Sequence, residues 1–157
     1  MARWSMYPVL DAKGRTVTQS THKIVVGFDG SPGSFAAATW ALDHAALIGA
    51  RVEFISATSP SHRPATSGEE HLLLKEHQDQ LLDDSAHRYP QVPIRVVSVD
   101  GESSEALLLA SETATMLVLG HHRTDGLIHS ALGSTGDLCA RLASCPVVVM
   151  PAPVPKP

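Results

Sequence analysis

The stretch KIVVGFDGSPGSFAAATWAL, residues 23–42, contains a strand, a turn and the start of a helix in direct succession. Lys23 to Phe28 is short and rich in β-branched residues, which is typical of a buried strand. Ser31 is a favoured N-cap residue and Pro32 suits the first position of a helix. The helical pattern then continues to about Gly49. A strand followed at once by a helix is the repeating unit of a parallel α/β sheet.

Strands and helices are predicted to alternate along the rest of the chain. The further strands cover residues 51–57, 94–99, 116–119 and 146–150, and the further helices cover residues 69–89, 102–113 and 137–143. Buried strands separated by helices indicate a parallel sheet with helices on both faces. Ligands bind such a sheet beyond the carboxyl ends of its strands, where the winding reverses. We expect the first and fourth strands to flank this point, which places Asp29 and Gly120 beside it.

The composition is ordinary for a globular domain, with 43% hydrophobic and 18% charged residues in a chain of 157. This length suits one domain with a full core. The net charge of −4 gives no reason to expect a nucleic-acid or membrane-surface partner. No apolar run approaches the roughly 20 residues that span a bilayer, and the amino-terminal residues do not resemble a signal peptide. A cytoplasmic location is therefore expected.

The two ends of the chain are predicted to lie outside the folded domain. Residues 1–21 are polar, mixed and aperiodic, and we interpret them as a flexible leader. Residues 152–157 form a proline-rich tail that cannot join a strand or a helix, because proline lacks a backbone N–H. The domain itself is then expected to span residues 22–151.

The segment GHHRTDGLIHSALGST, residues 120–135, connects the predicted fourth strand to the fourth helix. The N–H groups at the start of a helix form an anion site, and Gly133 permits close approach of a ligand. Ser134 is a plausible N-cap, and its hydroxyl and that of Thr135 add hydrogen-bond donors. Gly120 permits a sharp turn that exposes further N–H groups. The segment suits phosphate binding, although helix capping alone explains the same residues.

The sequence gives less support to other kinds of site. Cys139 and Cys145 match neither a zinc site nor a disulfide framework, and we interpret them as small buried hydrophobes. No histidine pair has the i, i+4 spacing of helical metal ligands, so no metal site is predicted. The Walker loop, the G-x-G-x-x-G fingerprint and the G-x-S-x-G elbow are all absent. No catalytic residue is predicted.

Three segments together resemble the universal stress protein family. They are residues 23–42, the segment VVSVDGESSEALLLA at 96–110, and the segment LVLGHHRTDGLIHSALGSTGDLCARLASCPVVVMP at 117–151. The resemblance covers about residues 22–151. It implies an α/β fold of the adenine-nucleotide α-hydrolase-like, Rossmann-like type: an open five-stranded parallel sheet of order 3-2-1-4-5 with helices on both faces. It also implies a homodimer.

The resemblance further implies a set of site residues, because one branch of the family binds ATP through the pattern G-x-x-G-x9-G-[ST]. In that branch the aspartate after the first strand lies near the ribose or the metal, and backbone at the end of the second strand meets the adenine. The glycine loop and the following hydroxyl residues hold the phosphates. Carried onto this chain, these positions are Gly27, Phe28, Asp29, Ala57, Leu119, Gly120, Gly133, Ser134 and Thr135. For the aspartate, capping of the first helix is an alternative role, although Ser31 suits it better.

Arg123 stands where this pattern has its second glycine. Arginine is strained there if the position needs a positive φ, and its side chain blocks the phosphates if the position needs close approach. Alternatively, the guanidinium binds the phosphates as a fork of donors. We expect binding of ATP, with or without Mg²⁺, or of AMP or cyclic AMP as variants, in a stress response and with at most slow hydrolysis. The alternative is a dimeric interaction protein whose cleft binds no nucleotide.

The predicted fifth strand lies at an edge of the sheet in the order that the family implies. Its residues 147–150 are apolar, and an exposed apolar edge favours aggregation unless it is covered or paired. Pairing of this strand with its copy across a two-fold axis gives a closed homodimer. Coverage of the edge by the proline-rich tail is the monomeric alternative.

Overall fold

The structure, a computed structural model, describes residues 21–58, 67–121 and 133–153, with backbone alone for residues 67–71. The predicted leader up to residue 20, the end of the tail and Arg123 lie outside the described residues.

Nine elements alternate along the described residues, in the predicted order. The strands are β1 (Lys23–Gly27), β2 (Arg51–Thr58), β3 (Ile94–Asp100), β4 (Met116–Gly120) and β5 (Val147–Met150), and the helices are α1 (Pro32–Ile48), α2 (Ser67–Arg88), α3 (Ser103–Ser111) and α4 (Gly133–Leu142). Most boundaries lie within two residues of their predictions. The start of α4 is the exception, because this helix begins four residues before the predicted residue 137.

The five strands form one parallel sheet of order β3-β2-β1-β4-β5. This result confirms the fold class and the strand order that the resemblance implies. The central strand β1 pairs with β2 on one side and with β4 on the other. The chain winds outward in one direction from β1 to β3 and then returns to β4, so the winding reverses between β1 and β4. The carboxyl ends of these two strands define the switch point of the sheet.

The sheet separates two hydrophobic layers. Ile24 and Val26 of β1 point to the layer that contains α1 and α2, and Val25 points to the layer that contains α3 and α4. All three side chains are fully buried, which agrees with the uniformly apolar sequence of this strand. The outer strand β3 instead contains only half-buried and exposed residues.

Helix α1 begins and ends as its sequence predicts. The Oγ atom of Ser31 accepts a hydrogen bond of 3.2 Å from the backbone N–H of Ser34, and Pro32 occupies the first helical position. Gly49 ends the helix in the left-handed conformation, with φ of 67°. These two ends fix the length of α1.

A polar cluster lies near the amino ends of the strands, at the opposite edge of the sheet from the switch point. The Nζ atom of Lys23 donates a hydrogen bond of 2.7 Å to Thr113 Oγ1 and lies 3.9 Å from Glu53 Oε1. Arg95 Nη1 lies 3.7 Å from the other carboxylate oxygen of Glu53. Lys23 and Glu53 are both buried, so each charge is compensated by the other.

Both cysteines are free thiols, with Cys139 buried and Cys145 half-buried. They pack in the hydrophobic layer of α3 and α4, as the sequence predicts. Among the described residues, no helix is both long enough and apolar enough to span a bilayer.

Candidate functional site

A cavity of about 240 Å³ opens at the carboxyl ends of β1, β2 and β4, which is the switch point of the sheet. This volume is just below the roughly 300–1,000 Å³ typical of ligand pockets, and it suits a small ligand. The described residues that line it are Gly27, Phe28, Asp29, Ser31, Ser34, Ile55, Ala57, Ser103, Leu107, Leu119, Gly120, Gly133, Ser134, Thr135 and Gly136.

All of the predicted site residues except Arg123, which lies outside the described residues, line this one cavity. They come from the ends of three strands and from the first turn of α4. Sequence reasoning missed Ser34, Ile55, Ser103, Leu107 and Gly136, and it assigned Ser31 only to helix capping. The available signal was topological, because α3 follows β3 and therefore starts at the same edge of the sheet as the predicted site.

The amino ends of three helices meet at the cavity. Ser31 is the N-cap of α1, Ser103 is the first residue of α3, and residues 133–136 form the first turn of α4. The N–H groups in the first turn of a helix carry a partial positive charge and lack partners within the helix. In α1, two of these groups are engaged, because Ser31 N donates to Asp29 Oδ1 and Ser34 N donates to Ser31 Oγ.

Asp29 is the one charged residue among the described residues of the lining. Its Oδ1 atom accepts a hydrogen bond of 2.9 Å from the backbone N–H of Ser31, which fixes the turn between β1 and α1. Ser31, not Asp29, provides the cap of the helix. The aspartate side chain is exposed at the cavity, so its carboxylate can still accept hydrogen bonds from a ligand.

Phe28 contributes backbone to the cavity, because its side chain is only 2% exposed and packs in the core. Its ring lies edge-on to those of Phe35 and Phe54, at centroid distances of 5.1 and 6.1 Å. The carbonyl oxygen of Phe28 accepts a hydrogen bond of 2.7 Å from Ser56 Oγ, which in turn accepts one of 2.8 Å from Gln78 Nε2. Helix α2 thus supports the strand end that lines the cavity.

Gly120 differs from its predicted role. It shows no positive φ and makes no sharp turn; it is the last residue of β4, and the next N–H, that of His121, donates to Met150 O. The glycine is needed for a different reason. A Cβ atom at this position would overlap the backbone of Gly33 and lie 2.5 Å from Ser34 N. Gly120 therefore permits the amino end of α1 to pack on β4.

Gly133 adopts φ of 66°, a left-handed conformation that favours glycine. Helix α4 begins at this residue, so the prediction that Ser134 is its N-cap is wrong. Ser134 and Thr135 lie instead in the first turn, and both line the cavity. The early start of the helix places more of its first turn at the cavity than the sequence predicted.

Groups of three or more His, Cys, Asp or Glu side chains that could hold a metal ion do not occur in the described part of the chain. The described part of the lining consists instead of hydroxyls, backbone and apolar side chains, with one carboxylate. This combination suits a ligand that has an apolar ring, several hydroxyl groups and an anionic end.

The fold and the site define a doubly wound parallel α/β domain with a glycine-rich cleft at the switch point. The sequence profile of the universal stress protein family matches residues 20–151, and the chain belongs to this family. The sequence-based identification is thereby confirmed.

A curated relative is a universal stress protein of Mycobacterium tuberculosis, Rv2005c, which is 29% identical over 130 residues. That match covers 80% of this chain and 44% of the relative, so the chain spans about half the length of the curated relatives it matches.

Solved structures of universal stress proteins share the fold at low sequence identity. One, in complex with cAMP, has a TM-score of 0.61 and 24% identity, with coverage of 84% of this chain and 98% of that one. Another, from Arabidopsis thaliana with AMP bound, has a TM-score of 0.60 and 14% identity, with coverage of 86% and 94%.

Proposed function

We propose that this protein binds an adenine nucleotide in the cavity at the switch point, as part of a stress response. One observation carries the proposal: the positions that the family pattern assigns to the nucleotide, Arg123 aside, line a single cavity. The two solved relatives that hold cAMP and AMP support the choice of an adenine ligand.

The lining suggests how such a ligand would be oriented. Ile55, Ala57 and Leu107 give one side of the cavity an apolar character that suits the adenine ring. Ser134 and Thr135 offer hydroxyls and helix N–H groups to the phosphates on the side of α4. Asp29, exposed at the cavity, is the group that would accept hydrogen bonds from the ribose hydroxyls.

ATP with Mg²⁺ is the fuller form of the proposal, and the residues present are compatible with it. Mg²⁺ is commonly held by one or two carboxylates together with substrate phosphates, and Asp29 supplies one carboxylate. When bound, the ion would neutralise phosphate charge. We propose binding with at most slow hydrolysis, because the described lining offers no lysine or arginine to stabilise a transferred phosphoryl group.

We also propose that the protein forms a homodimer through β5. This strand pairs with β4 on one side, and all four of its residues, Val147–Met150, are only half-buried. Antiparallel or parallel addition of a second copy at this edge would cover them. Light scattering of the purified protein tests the proposal, and a monomeric mass at micromolar concentration would reject it.

Calorimetric titration with ATP, AMP and cyclic AMP, with and without Mg²⁺, tests nucleotide binding directly. We expect saturable binding by the wild-type protein. Thr135→Val keeps the shape of the side chain but removes a hydroxyl from the phosphate side, so it should weaken AMP binding at least about tenfold. Thr39→Val is the matched control, because Thr39 is exposed on α1 and its hydroxyl donates to Phe35 O outside the cavity.

Arg123→Gly distinguishes the roles left open for this arginine. If the variant binds ATP as well as or more weakly than the wild type, Arg123 assists the phosphates or leaves them unaffected. If the wild type binds no nucleotide and the variant gains ATP binding, Arg123 closes the cavity, and the dimeric interaction protein is the better description. Absence of binding by both proteins rejects the proposed site.

A further inference from the structure

Ser103 lines the cavity from a helix that the family pattern does not use. It is the first residue of α3, and Leu107 lies one turn later on the same face of this helix. Leu107 is 3% exposed and packs beneath the cavity, with its Cδ1 atom 3.3 Å from where a Cβ on Gly27 would be. Ser103 therefore stands above this apolar floor, one turn closer to the mouth.

The Ser103 hydroxyl is not used by the fold in the described part of the structure. The N-cap of α3 is Glu102, which makes no side-chain capping bond, and no described residue hydrogen-bonds to Ser103 Oγ. Other hydroxyls here have structural partners: Ser34 donates to Ser31 O, and Ser111 donates to Leu108 O. The Ser103 hydroxyl, half-exposed at the cavity, is thus accessible to a ligand.

The position of α3 indicates which part of a ligand Ser103 would meet. Helices α3 and α4 pack against each other; α3 also packs on β1 and on β2, the strand that contains Ile55 and Ala57, whereas α4 also packs on β5. Ser103 therefore reaches the cavity nearer to β2 than residues 133–136, the first turn of α4, do. If phosphates are held at α4, the nucleoside lies toward α3.

We propose that Ser103 is a ligand-contact residue that hydrogen-bonds the nucleoside part of the bound nucleotide. This inference rests on the proposed function. A serine hydroxyl both donates and accepts, so it can serve a ribose hydroxyl or a ring nitrogen. In this proposal Ser103 contacts the nucleoside, whereas the first turn of α4 binds the phosphates.

The test compares adenosine with AMP, because the two ligands differ only at the phosphate. Ser103→Ala should weaken binding of both by the same factor, roughly three- to tenfold, as expected for loss of one neutral hydrogen bond. Thr135→Val should weaken AMP and leave adenosine unchanged. Ser104→Ala is the matched control, because Ser104 is the next residue of α3 and does not line the cavity.

A second variant is needed because a water molecule in place of the Ser103 hydroxyl would hide the effect of Ser103→Ala. Ser103→Leu places a large side chain over the apolar floor and should weaken both ligands by about tenfold or more, whereas Ser104→Leu should not. Thermal unfolding of each variant checks that the fold is retained.

Three results would overturn the inference. If Ser103→Ala and Ser104→Ala bind both ligands equally well, Ser103 does not contact the ligand. If Ser103→Ala weakens binding of AMP only, Ser103 contacts the phosphate and not the nucleoside. Absence of adenosine and AMP binding by the wild type rejects the proposed function itself, and with it this role.

Discussion

Gly33 in the first turn of α1 and Gly120 at the end of β4 contact each other backbone to backbone. A Cβ atom on Gly33 would lie 2.6 Å from His121 O, and a Cβ on Gly120 would overlap the carbonyl group of Gly33. Neither glycine has a positive φ, so the close approach, not the conformation, requires them. The contact determines how closely the amino end of α1 approaches β4, and with it the position of this helix end beside the cavity.

Gly120→Ala should lower the free energy of unfolding by about 1–3 kcal/mol, because the added methyl group meets backbone that cannot rotate away. Urea denaturation measures this change. The variant should also weaken nucleotide binding, since Ser31 and Ser34 in the displaced turn line the cavity.

Gly49→Ala is the control for Gly120→Ala. Gly49 caps the other end of α1 with φ of 67°, and nothing lies within 4 Å of the added Cβ. Strain alone should cost about 1–2 kcal/mol there and leave binding unchanged. Equal binding by the wild type and Gly120→Ala would contradict the role given to the glycine contact.

Ser56→Ala should destabilise the fold by about 1–3 kcal/mol, because it leaves the carbonyl of Phe28 and the amide of Gln78 without their shared partner. Ser56 is 2% exposed, so water cannot easily replace the hydroxyl. Gln78→Met should lower the free energy of unfolding less than Ser56→Ala does. It removes only the hydrogen bond from the half-buried Gln78 to Ser56 and keeps the one from Ser56 to Phe28 O.

Ser98→Ala is matched to Ser56→Ala, because Ser98 is the register partner of Ser56 in β3 and is exposed. Its effect should stay within about 0.5 kcal/mol. Chemical denaturation of the three variants ranks them, and a cost for Gln78→Met that exceeds the cost for Ser56→Ala would be inconsistent with this chain of hydrogen bonds.

The free energy of unfolding should depend on pH because the pKa of Lys23 differs between the folded and the unfolded chain. Burial lowers the pKa of Lys23 below its usual 10.5, against the opposing attraction of Glu53. In the interval between the lowered pKa and 10.5, the unfolded chain binds more protons at this residue than the folded chain. Raising the pH through this interval therefore favours the folded state.

The corresponding measurement compares the wild type with Lys23→Met in urea at increasing pH above neutrality. The free energy of unfolding of the wild type should rise relative to that of the variant as the pH approaches 10.5. Lys75→Met, at an exposed lysine of α2, controls for loss of one positive charge. A difference that stays constant with pH would argue against a penalty from burial at Lys23.

Both thiols should react slowly with iodoacetamide at pH 7 in the folded protein. Burial raises the pKa of Cys139 and of Cys145 above the usual 9.0, so the reactive thiolate is scarce at both positions. Cys145, which is half-buried and near Lys23, should be modified before the fully buried Cys139. Peptide mass spectrometry after timed labelling measures the order, with protein in urea as the reference; rapid labelling of Cys139 first would exclude this explanation.

The alternation of elements was predictable because each segment carries its own local pattern. β1 and α1 are examples: an apolar β-branched run, then a serine and a proline that start a helix. The strand order came from the resemblance to the family, since periodicity alone does not fix which strands pair. Ser134 was misassigned as the N-cap of α4 because it fits the rules for capping, whereas the helix begins at the left-handed Gly133.

The candidate site was predictable where a motif marks it and not where packing creates it. Asp29 and Thr135 belong to segments with recognisable patterns. Ser103 reaches the cavity through the packing of α3 on β1 and β2, and Ile55 reaches it through the pairing of β2 with β1, and no local pattern encodes either contact. The role of Gly120 was likewise hidden, because its partner Gly33 is distant in sequence and the contact exists only between backbones.

The cavity is assembled from the ends of β1, β2 and β4 and from the starts of α1, α3 and α4, which come from both halves of the chain. No single fragment of the chain contains the whole wall. A ligand of this cavity can therefore recognise only molecules in which the central strands have already associated, and its binding shifts the equilibrium toward them by mass action. A bound ligand in the cavity would therefore mark a fully folded domain. In a cell, it would also protect the folded domain from proteolysis.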